Sequence, residues 1–231
     1  MVDFLKHRER VRKRFVQTGI NPFEDYEALE LLLFHTISRA DTKPIAKALL
    51  KEFGSLSGVL DADYEDLLKV DGVGPRSAFL LSYIPQLSRK YFENKSTDYD
   101  VIRSGADAGY FLLDRYVGYT KETVGLICLD NKSRVKNFSI IREGSVNSTD
   151  ISLRKILEVS IKHNAAAVVL AHNHPNGCAL PSNSDIETTK IIKNTLASMA
   201  ITLVDHIIIA DGDFVSLNDS YYSGKIHCTE E

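Results

Sequence analysis

Residues 170–185 decide the fold of this chain and read Leu170-Ala171-His172-Asn173-His174-Pro175-Asn176-Gly177-Cys178-Ala179-Leu180-Pro181-Ser182-Asn183-Ser184-Asp185. The first two of these residues end an apolar run over residues 165–171, and such a run is typical of a strand buried on both faces of a sheet. Because side chains alternate along a strand, His172 and His174 project to the same side and can reach one ion. Pro175 and Gly177 then favour a turn directly after the strand.

A helix is predicted to begin after this turn, with Ser182 as its N-cap and Asp185 in its first turn. The carboxylate then has a route back to His172 and His174. Two neutral imidazoles and one carboxylate leave a zinc ion one free position, as in catalytic zinc sites, where the pKa of bound water falls to roughly 7. The sequence therefore predicts a zinc site at these three residues. Ser182 and Asp185 also form an ordinary capping pair, and the two roles are compatible.

Two further side chains have an open interpretation. Cys178 lies four residues after His174 and could bind the metal, although its position is more typical of a small residue in a turn. His206 either supports the metal site or is a satisfied core histidine.

Outward from this stretch, strands alternate with helices. The patterns predict paired strands over 122–130 and 134–141, followed by a helix around Ile156. A further helix is predicted at about 182–199 and a strand over 201–210. This order of elements indicates an α/β fold in which helices flank a sheet.

The amino-terminal part has a different pattern. Helical spacing of apolar residues, interrupted by glycines, continues through residues 1–93, and a polar stretch follows at 94–100. We therefore predict an all-helical domain over 1–95 and the α/β metal domain over 101–231.

A possible contact with DNA lies in the helical domain. Gly72, Val73 and Gly74 allow a tight turn, Pro75 suits the first position of a helix, and Arg76 follows. These residues resemble the second half of a helix-hairpin-helix, a motif that holds phosphate at a helix N-terminus without reading bases. A weaker hairpin of this kind is predicted over 42–60. Five basic residues could add a basic edge: Arg8, Arg10, Arg12, Lys13 and Arg14.

Bulk composition limits the other possibilities. Residues 1–95 hold 15 basic and 14 acidic residues, so this part is no polycation and strong nonspecific binding to nucleic acid is not expected. The 3 cysteines, Cys128, Cys178 and Cys228, are typical of free thiols in a reducing cytosol. No apolar run has the length of a membrane span, and the first residues do not form a signal peptide. We expect a cytoplasmic protein without a membrane partner.

The arrangement His-x-His-Pro, followed by Ser-x-x-Asp, resembles the JAMM or MPN-type metalloprotease motif. Residues 163–167 and 204–209, which read His-Asn-Ala-Ala-Ala and Val-Asp-His-Ile-Ile-Ile, are similar to those of the bacterial RadC family. The likeness extends over nearly the whole chain. It implies an MPN/JAMM-like (cytidine-deaminase-like) α/β sheet flanked by helices, preceded by a small all-α helix-hairpin-helix domain.

The resemblance also implies roles for single residues. It places the zinc ligands on His172, His174 and Asp185. Ser182 is implied to help hold the tetrahedral intermediate, and an upstream glutamate to act as general base. Glu122 fits best because it opens a predicted strand as Glu-x-x-Gly-Leu, and Glu143 and Glu158 are the alternatives. Where many relatives resembling this chain read Pro-Arg-Glu, residues 153–155 here read Leu-Arg-Lys.

The implied function is zinc-dependent hydrolysis of a peptide or isopeptide bond in a protein or peptide substrate. One alternative is a DNA-processing enzyme whose metal acts on phosphate. Another is a DNA-binding or partner-binding module in which the zinc is only structural. The sequence does not indicate an oligomeric state.

Overall fold

A computed structural model of the chain describes residues 3–95, 101–144, 153–175, 177–210 and 212–219. Contacts between residues divide the chain into two compact units, Met1–Ser88 and Arg89–Glu231. Most of the linker proposed at 94–100 lies outside the described residues, so the domain limits 1–95 and 101–231 stay a prediction.

The regular elements among the described residues of the first unit are all helices, as the sequence predicts. Its helices are α1 (Asp3–Thr18), α2 (Asp25–Leu33), α3 (Lys43–Phe53), α4 (Leu56–Asp61), α5 (Tyr64–Leu67) and α6 (Pro75–Lys95), which ends beyond this unit. Apolar residues spaced three and four apart supply a core that includes Leu29, Leu33, Leu49, Leu67 and Leu81.

The second unit is built on a five-stranded sheet. The strands are β1 (Thr123–Leu129), β2 (Val135–Glu143), β3 (Ala167–Asn173), β4 (Thr202–Ala210) and β5 (Asp213–Ser216). They lie in the order β2-β1-β3-β4-β5. β3 and β4 are parallel, and the other neighbours are antiparallel.

Helices cover both faces of this sheet. Helix α7 (Gly105–Tyr116) packs on one face through Ala108 and Leu112. Helices α8 (Leu153–Lys162) and α9 (Asn183–Ala197) pack on the other, through residues that include Ile156 and Ile192. The predicted α/β class, a sheet flanked by helices after a helical region, is confirmed.

Most predicted elements of this unit are present with small shifts. The strand predicted from the apolar run over 165–171 spans Ala167–Asn173, so that His172 lies inside it and His174 directly follows it. The helix predicted at about 182–199 spans Asn183–Ala197. Helix α7 and strand β5 were not predicted.

The register between β3 and β4 is interrupted once. Val168 pairs with Leu203, but Val169 pairs with Asp205, so Val204 has no opposite residue in β3. Beyond this one-residue bulge, Leu170 pairs with His206.

Two predictions from composition can be compared with the described residues. Cys128 and Cys178 are free thiols, and Cys228 lies outside these residues. None of the described helices has both the length and the apolar character that a bilayer crossing requires.

Candidate metal centre

The carboxyl end of β3 brings two imidazoles together. His172 is buried, with 6% of its surface exposed, and His174 follows one residue after the strand ends. Their Nε2 atoms lie 2.8 Å apart. The same-side arrangement expected from the two-residue spacing is therefore present in the structure.

Helix α9 brings Asp185 to the same place. Ser182 is the N-cap, and its hydroxyl accepts a hydrogen bond from the Asp185 N–H. Asp185 Oδ1 lies 3.4 Å from His172 Nε2, and Oδ2 lies 3.7 Å from His174 Nε2. Among the described residues, these three side chains form a group whose ligand atoms all lie within 4.8 Å of one another.

Asp185 has a capping role as well as this position. Its Oδ2 accepts hydrogen bonds from the Ser182 N–H at 2.8 Å and from the Ser182 hydroxyl at 2.6 Å. Ser182 and Asp185 thus form the capping box that the sequence allowed. Oδ1 remains directed toward His172.

The outer nitrogens of the two imidazoles have hydrogen-bond partners. His174 Nδ1 donates to the carbonyl oxygen of Cys178 at 3.0 Å, which leaves the lone pair of a neutral ring on Nε2. His172 Nδ1 lies 2.8 Å from Nε2 of His206, and Nδ1 of His206 lies 2.6 Å from the hydroxyl of Thr189. Both outer contacts orient the rings toward Asp185.

Burial keeps His172 and His206 neutral near pH 7. Removal from water lowers the pKa of His172 to about 4, although Asp185 opposes this shift. Burial also lowers the pKa of His206 well below its usual value. Neutral imidazole is the form that binds a metal ion.

The donor set fits a divalent cation such as zinc. Two unprotonated imidazole nitrogens at 2.8 Å repel each other unless a cation or a shared proton lies near both. A carboxylate oxygen within reach of both rings adds the negative charge that such a cation needs. Three protein ligands leave one coordination position for water, as in catalytic zinc sites.

Glu122, the predicted general base, directly precedes β1. Val124, two residues later, pairs with His172, so Glu122 lies at the same end of the sheet as the candidate metal ligands. Glu143 also lies at this end because it pairs with Thr123. Glu158 lies in α8 and forms an exposed ion pair with Arg154. The choice of Glu122 over Glu143 stays a prediction.

Asn173, between the two histidines, was not recognised from the sequence. Its Oδ1 accepts from the Thr123 N–H at 2.7 Å, and its Nδ2 donates to the carbonyls of Tyr119 and Lys121 at 3.0 and 3.2 Å. These contacts hold the backbone on both sides of Glu122. Thr189, four residues after Asp185, was also missed, although that helical spacing places the two on one face.

The predicted hairpin residues belong to the first unit, whereas the candidate metal ligands belong to the second. Gly72 has a φ of 85°, and a Cβ there would lie 2.8 Å from Ile45. Val73 is buried and its N–H bonds the carbonyl of Val70, whereas Gly74 faces open space and Arg76 is exposed.

The hairpin predicted over 42–60 contains α3 and α4, joined at Gly54 and Ser55. Three residues of the basic run have structural contacts, and the guanidinium of Arg12 lies over the Phe34 ring. Arg8 is buried and donates to the carbonyls of Ser38 and Ala40, and Arg14 pairs with Glu27.

Comparison with known proteins identifies related families for two separate parts of the chain. Residues 102–222 match the family model described as RadC-like JAB domain, and residues 2–79 match the family model described as UPF0758 N-terminal. The chain is also similar to UPF0758 protein FN0909 of Fusobacterium nucleatum subsp. nucleatum. The two are 36% identical over 217 residues, which cover 91% of this chain and 94% of that protein.

Proposed function

Because this chain belongs to the RadC family and has a RadC-like JAB domain over residues 102–222, we propose that it is a zinc-dependent hydrolase of peptide or isopeptide bonds. The observation that carries the proposal is the group formed by His172, His174 and Asp185. Two neutral nitrogens and one carboxylate suit a cation that keeps a position open for water.

The surrounding residues suit amide hydrolysis. When bound at these side chains, zinc supplies Lewis acidity and lowers the pKa of water to roughly 7. Glu122 takes a proton from the water molecule while the oxygen of that water forms a bond to the scissile carbonyl carbon. The same carboxyl group returns that proton to the amine as the carbon–nitrogen bond breaks.

Ser182 has a role that requires a small rearrangement. Its single hydroxyl proton is donated to Asp185 Oδ2 at 2.6 Å, so donation to the oxyanion requires the hydroxyl to turn away from Asp185. The Ser182 N–H continues to bond Asp185 during this turn and keeps the first turn of α9 capped.

The proposal is tested with Glu122→Gln and, as a matched control at the same end of the sheet, Glu143→Gln. We expect purified protein to contain about one zinc ion per chain by elemental analysis. Glu122→Gln should keep the zinc but lose roughly 100-fold or more in hydrolysis of a peptide library, because a general base contributes 10²–10⁴-fold. Glu143→Gln should remain close to wild type.

The possible results distinguish a wrong assignment of the general base from a wrong assignment of the metallohydrolase. Unchanged hydrolysis in Glu122→Gln, with a loss in Glu143→Gln, would move the base to Glu143 and leave the zinc hydrolase intact. Absence of zinc binding, or hydrolysis that survives Asp185→Ala, would reject the metallohydrolase itself. Magnesium-dependent cleavage of DNA would instead support phosphate chemistry at this site.

We propose in addition that the first unit associates with DNA through the turn that contains Gly72 and Gly74. This second candidate is supported by the open space around Gly74 and by the exposed Arg76 at the beginning of α6. Backbone N–H groups at a helix N-terminus favour phosphate oxygens. Such a contact would bring the hydrolase to DNA without selecting a base sequence.

A further inference from the structure

A chain of hydrogen bonds runs behind the candidate metal ligands and involves three elements. The Thr189 hydroxyl lies 2.5 Å from the carbonyl oxygen of Asp185 and 2.6 Å from His206 Nδ1. His206 Nε2 in turn lies 2.8 Å from His172 Nδ1. His172 belongs to β3, His206 to β4, and both Thr189 and Asp185 to α9.

The direction of every bond in this chain follows from its α9 end. A carbonyl oxygen only accepts, so the single proton of the Thr189 hydroxyl is donated to Asp185. The Thr189 oxygen must then accept from His206 Nδ1–H. A neutral His206 has its lone pair on Nε2, which accepts from His172 Nδ1–H. The remaining lone pair of His172 is consequently on Nε2, directed toward His174 and Asp185.

The position of His206 requires a neutral ring. Its exposed fraction is 1%, and its two ring nitrogens contact Thr189 and His172. The neighbouring carboxylate, Asp205, accepts instead from the Ser216 hydroxyl at 2.6 Å and from the Asn218 N–H at 3.1 Å. Among the described residues, neither ring nitrogen of His206 contacts a carboxylate, so no negative charge favours a second proton on this ring.

We propose that Thr189 and His206 are positioning residues that hold His172 in the tautomer with its proton on Nδ1 and its lone pair on Nε2. The same chain ties the ligand on β3 to the helix that holds Asp185, so the two ligands keep a common geometry. The inference rests on the proposed metal function for the meaning of that geometry, but the tautomer itself is a property of the metal-free protein.

A second threonine on α9 provides an internal comparison. The Thr195 hydroxyl donates to the carbonyl of Ile191 at 2.9 Å, the same bond to the residue four positions earlier that Thr189 makes. No hydrogen bond joins Thr195 to a histidine among the described residues. Thr189→Val and Thr195→Val thus remove the same local bond from one helix, and only the first removes the acceptor for His206.

The experiment compares Thr189→Val, Thr195→Val and Thr189→Ser, which keeps the hydroxyl. Nitrogen-15 NMR of the metal-free proteins reports the tautomers of His172 and His206, and competition with a chelator gives the Kd for zinc. We expect Thr189→Val to change both tautomers and to weaken zinc binding about 10- to 100-fold, as for other groups that orient metal ligands. Thr195→Val and Thr189→Ser should stay within about 3-fold of wild type.

Substitutions of His206 test the other end of the chain. His206→Gln can still offer an oxygen to His172 Nδ1–H, whereas His206→Leu cannot, so glutamine should retain more zinc affinity than leucine. The proposal is overturned if Thr189→Val matches Thr195→Val in both tautomers and Kd. That result would leave the proposed hydrolase untouched. A wild-type protein that shows the expected tautomers but hydrolyses nothing would instead reject the hydrolase and retain the positioning chain.

Discussion

Asp185 illustrates how one carboxylate serves local structure and chemistry together. Its Oδ2 caps α9 through Ser182, and its Oδ1 lies 3.4 Å from His172 Nε2. The two oxygens are thus divided between the helix and the candidate metal ligands. Because the Ser182 N–H holds Oδ2 in place, the carboxylate is oriented before any ion binds.

Substitution of Ser182 should separate stability from catalysis. Ser182→Ala removes the side-chain cap and should lower the free energy of unfolding by about 1 kcal/mol, whereas Ser182→Gly should cost only a few tenths. Urea denaturation measures both. If the hydroxyl also steadies the oxyanion, the two variants should lose hydrolysis equally, by roughly 100-fold. If Ser182→Ala and Ser182→Gly lost the same free energy of unfolding and both kept full activity, the capping role and the oxyanion role would both be contradicted.

Burial of His172 should make the metal-free protein sensitive to acid. In the unfolded chain this histidine takes up a proton below its ordinary pKa of 6.5, but the folded one does so only near its lowered pKa of about 4. This stability is therefore fully present above pH 6.5 and is lost as the pH falls toward 4.

The loss assigned to His172 should be on the order of 3 kcal/mol, because its pKa falls from 6.5 in the unfolded chain to about 4 in the folded one. Chemical denaturation with a chelator present, at several pH values between 7 and 4, measures it. In His172→Gln, the free energy of unfolding should depend less steeply on pH, because one buried histidine is gone. Some dependence should remain, because buried His206 contributes in the same direction. Identical slopes in wild type and variant would contradict the prediction.

At the scale of elements, Asn173 joins β3 to the segment that carries Glu122. The three hydrogen bonds of its side chain all reach backbone atoms of residues 119–123. On the same strand end, the Tyr116 hydroxyl lies 3.1 Å from the Ala171 carbonyl and 3.2 Å from that of Thr123. The position of the predicted base thus depends on contacts from both β3 and α7.

Asn173→Ala should therefore impair hydrolysis without removing the metal. Loss of the three bonds lets residue 122 move, and small misplacements of catalytic groups cost about 10- to 100-fold in rate. The Kd for zinc should change by less than about 3-fold, because His172, His174 and Asp185 keep their contacts. Steady-state kinetics and chelator competition give the two values. Asn194→Ala, an exposed asparagine on α9, is the control, and parallel loss of zinc binding would refute this separation.

At the scale of the whole molecule, charge limits any binding to DNA. Residues 1–95 hold 15 basic and 14 acidic residues, and Arg8 and Arg14 are already bound within the first unit. Because the acidic residues nearly balance the basic ones, little net positive charge is present to release counterions from a phosphate backbone. We expect weak binding that salt abolishes readily.

Two charge reversals can locate such binding. Arg76→Glu, at the hairpin, should weaken binding to duplex DNA and reduce the slope of affinity against salt by about one. Arg10→Glu, on the exposed part of α1, should have the smaller effect if the hairpin is the contact. Fluorescence anisotropy over a salt series measures both. A larger effect of Arg10→Glu would place the contact on the basic run instead.

The sequence predicts the strand and the capped helix that carry the candidate ligands because its signals there are local. His172, His174, Pro175 and Ser182 lie within a short segment whose spacing determines a strand, a turn and a capped helix. The choice between Glu122 and Glu143 as general base is harder to make from the sequence. Glu122 and Glu143 lie far apart in sequence, and only the pairing of β1 with β2 brings them to the same end.

The sequence does not predict helix α7, because this helix contains residues that suit tertiary packing better than helix formation. Gly105 and Gly109 weaken a helical prediction, yet a Cβ at Gly109 would lie 2.1 Å from the ring of Phe214. The glycine is needed where the helix approaches β5, a contact between residues distant in sequence. Strand β5 has only 4 residues, too few for a clear alternating pattern.

The unpaired Val204 determines which polar side chain stands behind His172. Counting by twos from Leu203, which packs with the α8 and α9 side of the sheet, would place Asp205 on that side. The extra residue moves His206 there and sends Asp205 to the opposite side, toward Ser216. A shorter strand would thus give the imidazole an anion as its neighbour, and with it a more basic ligand. One irregular step in the backbone therefore sets the electronic character of the candidate centre.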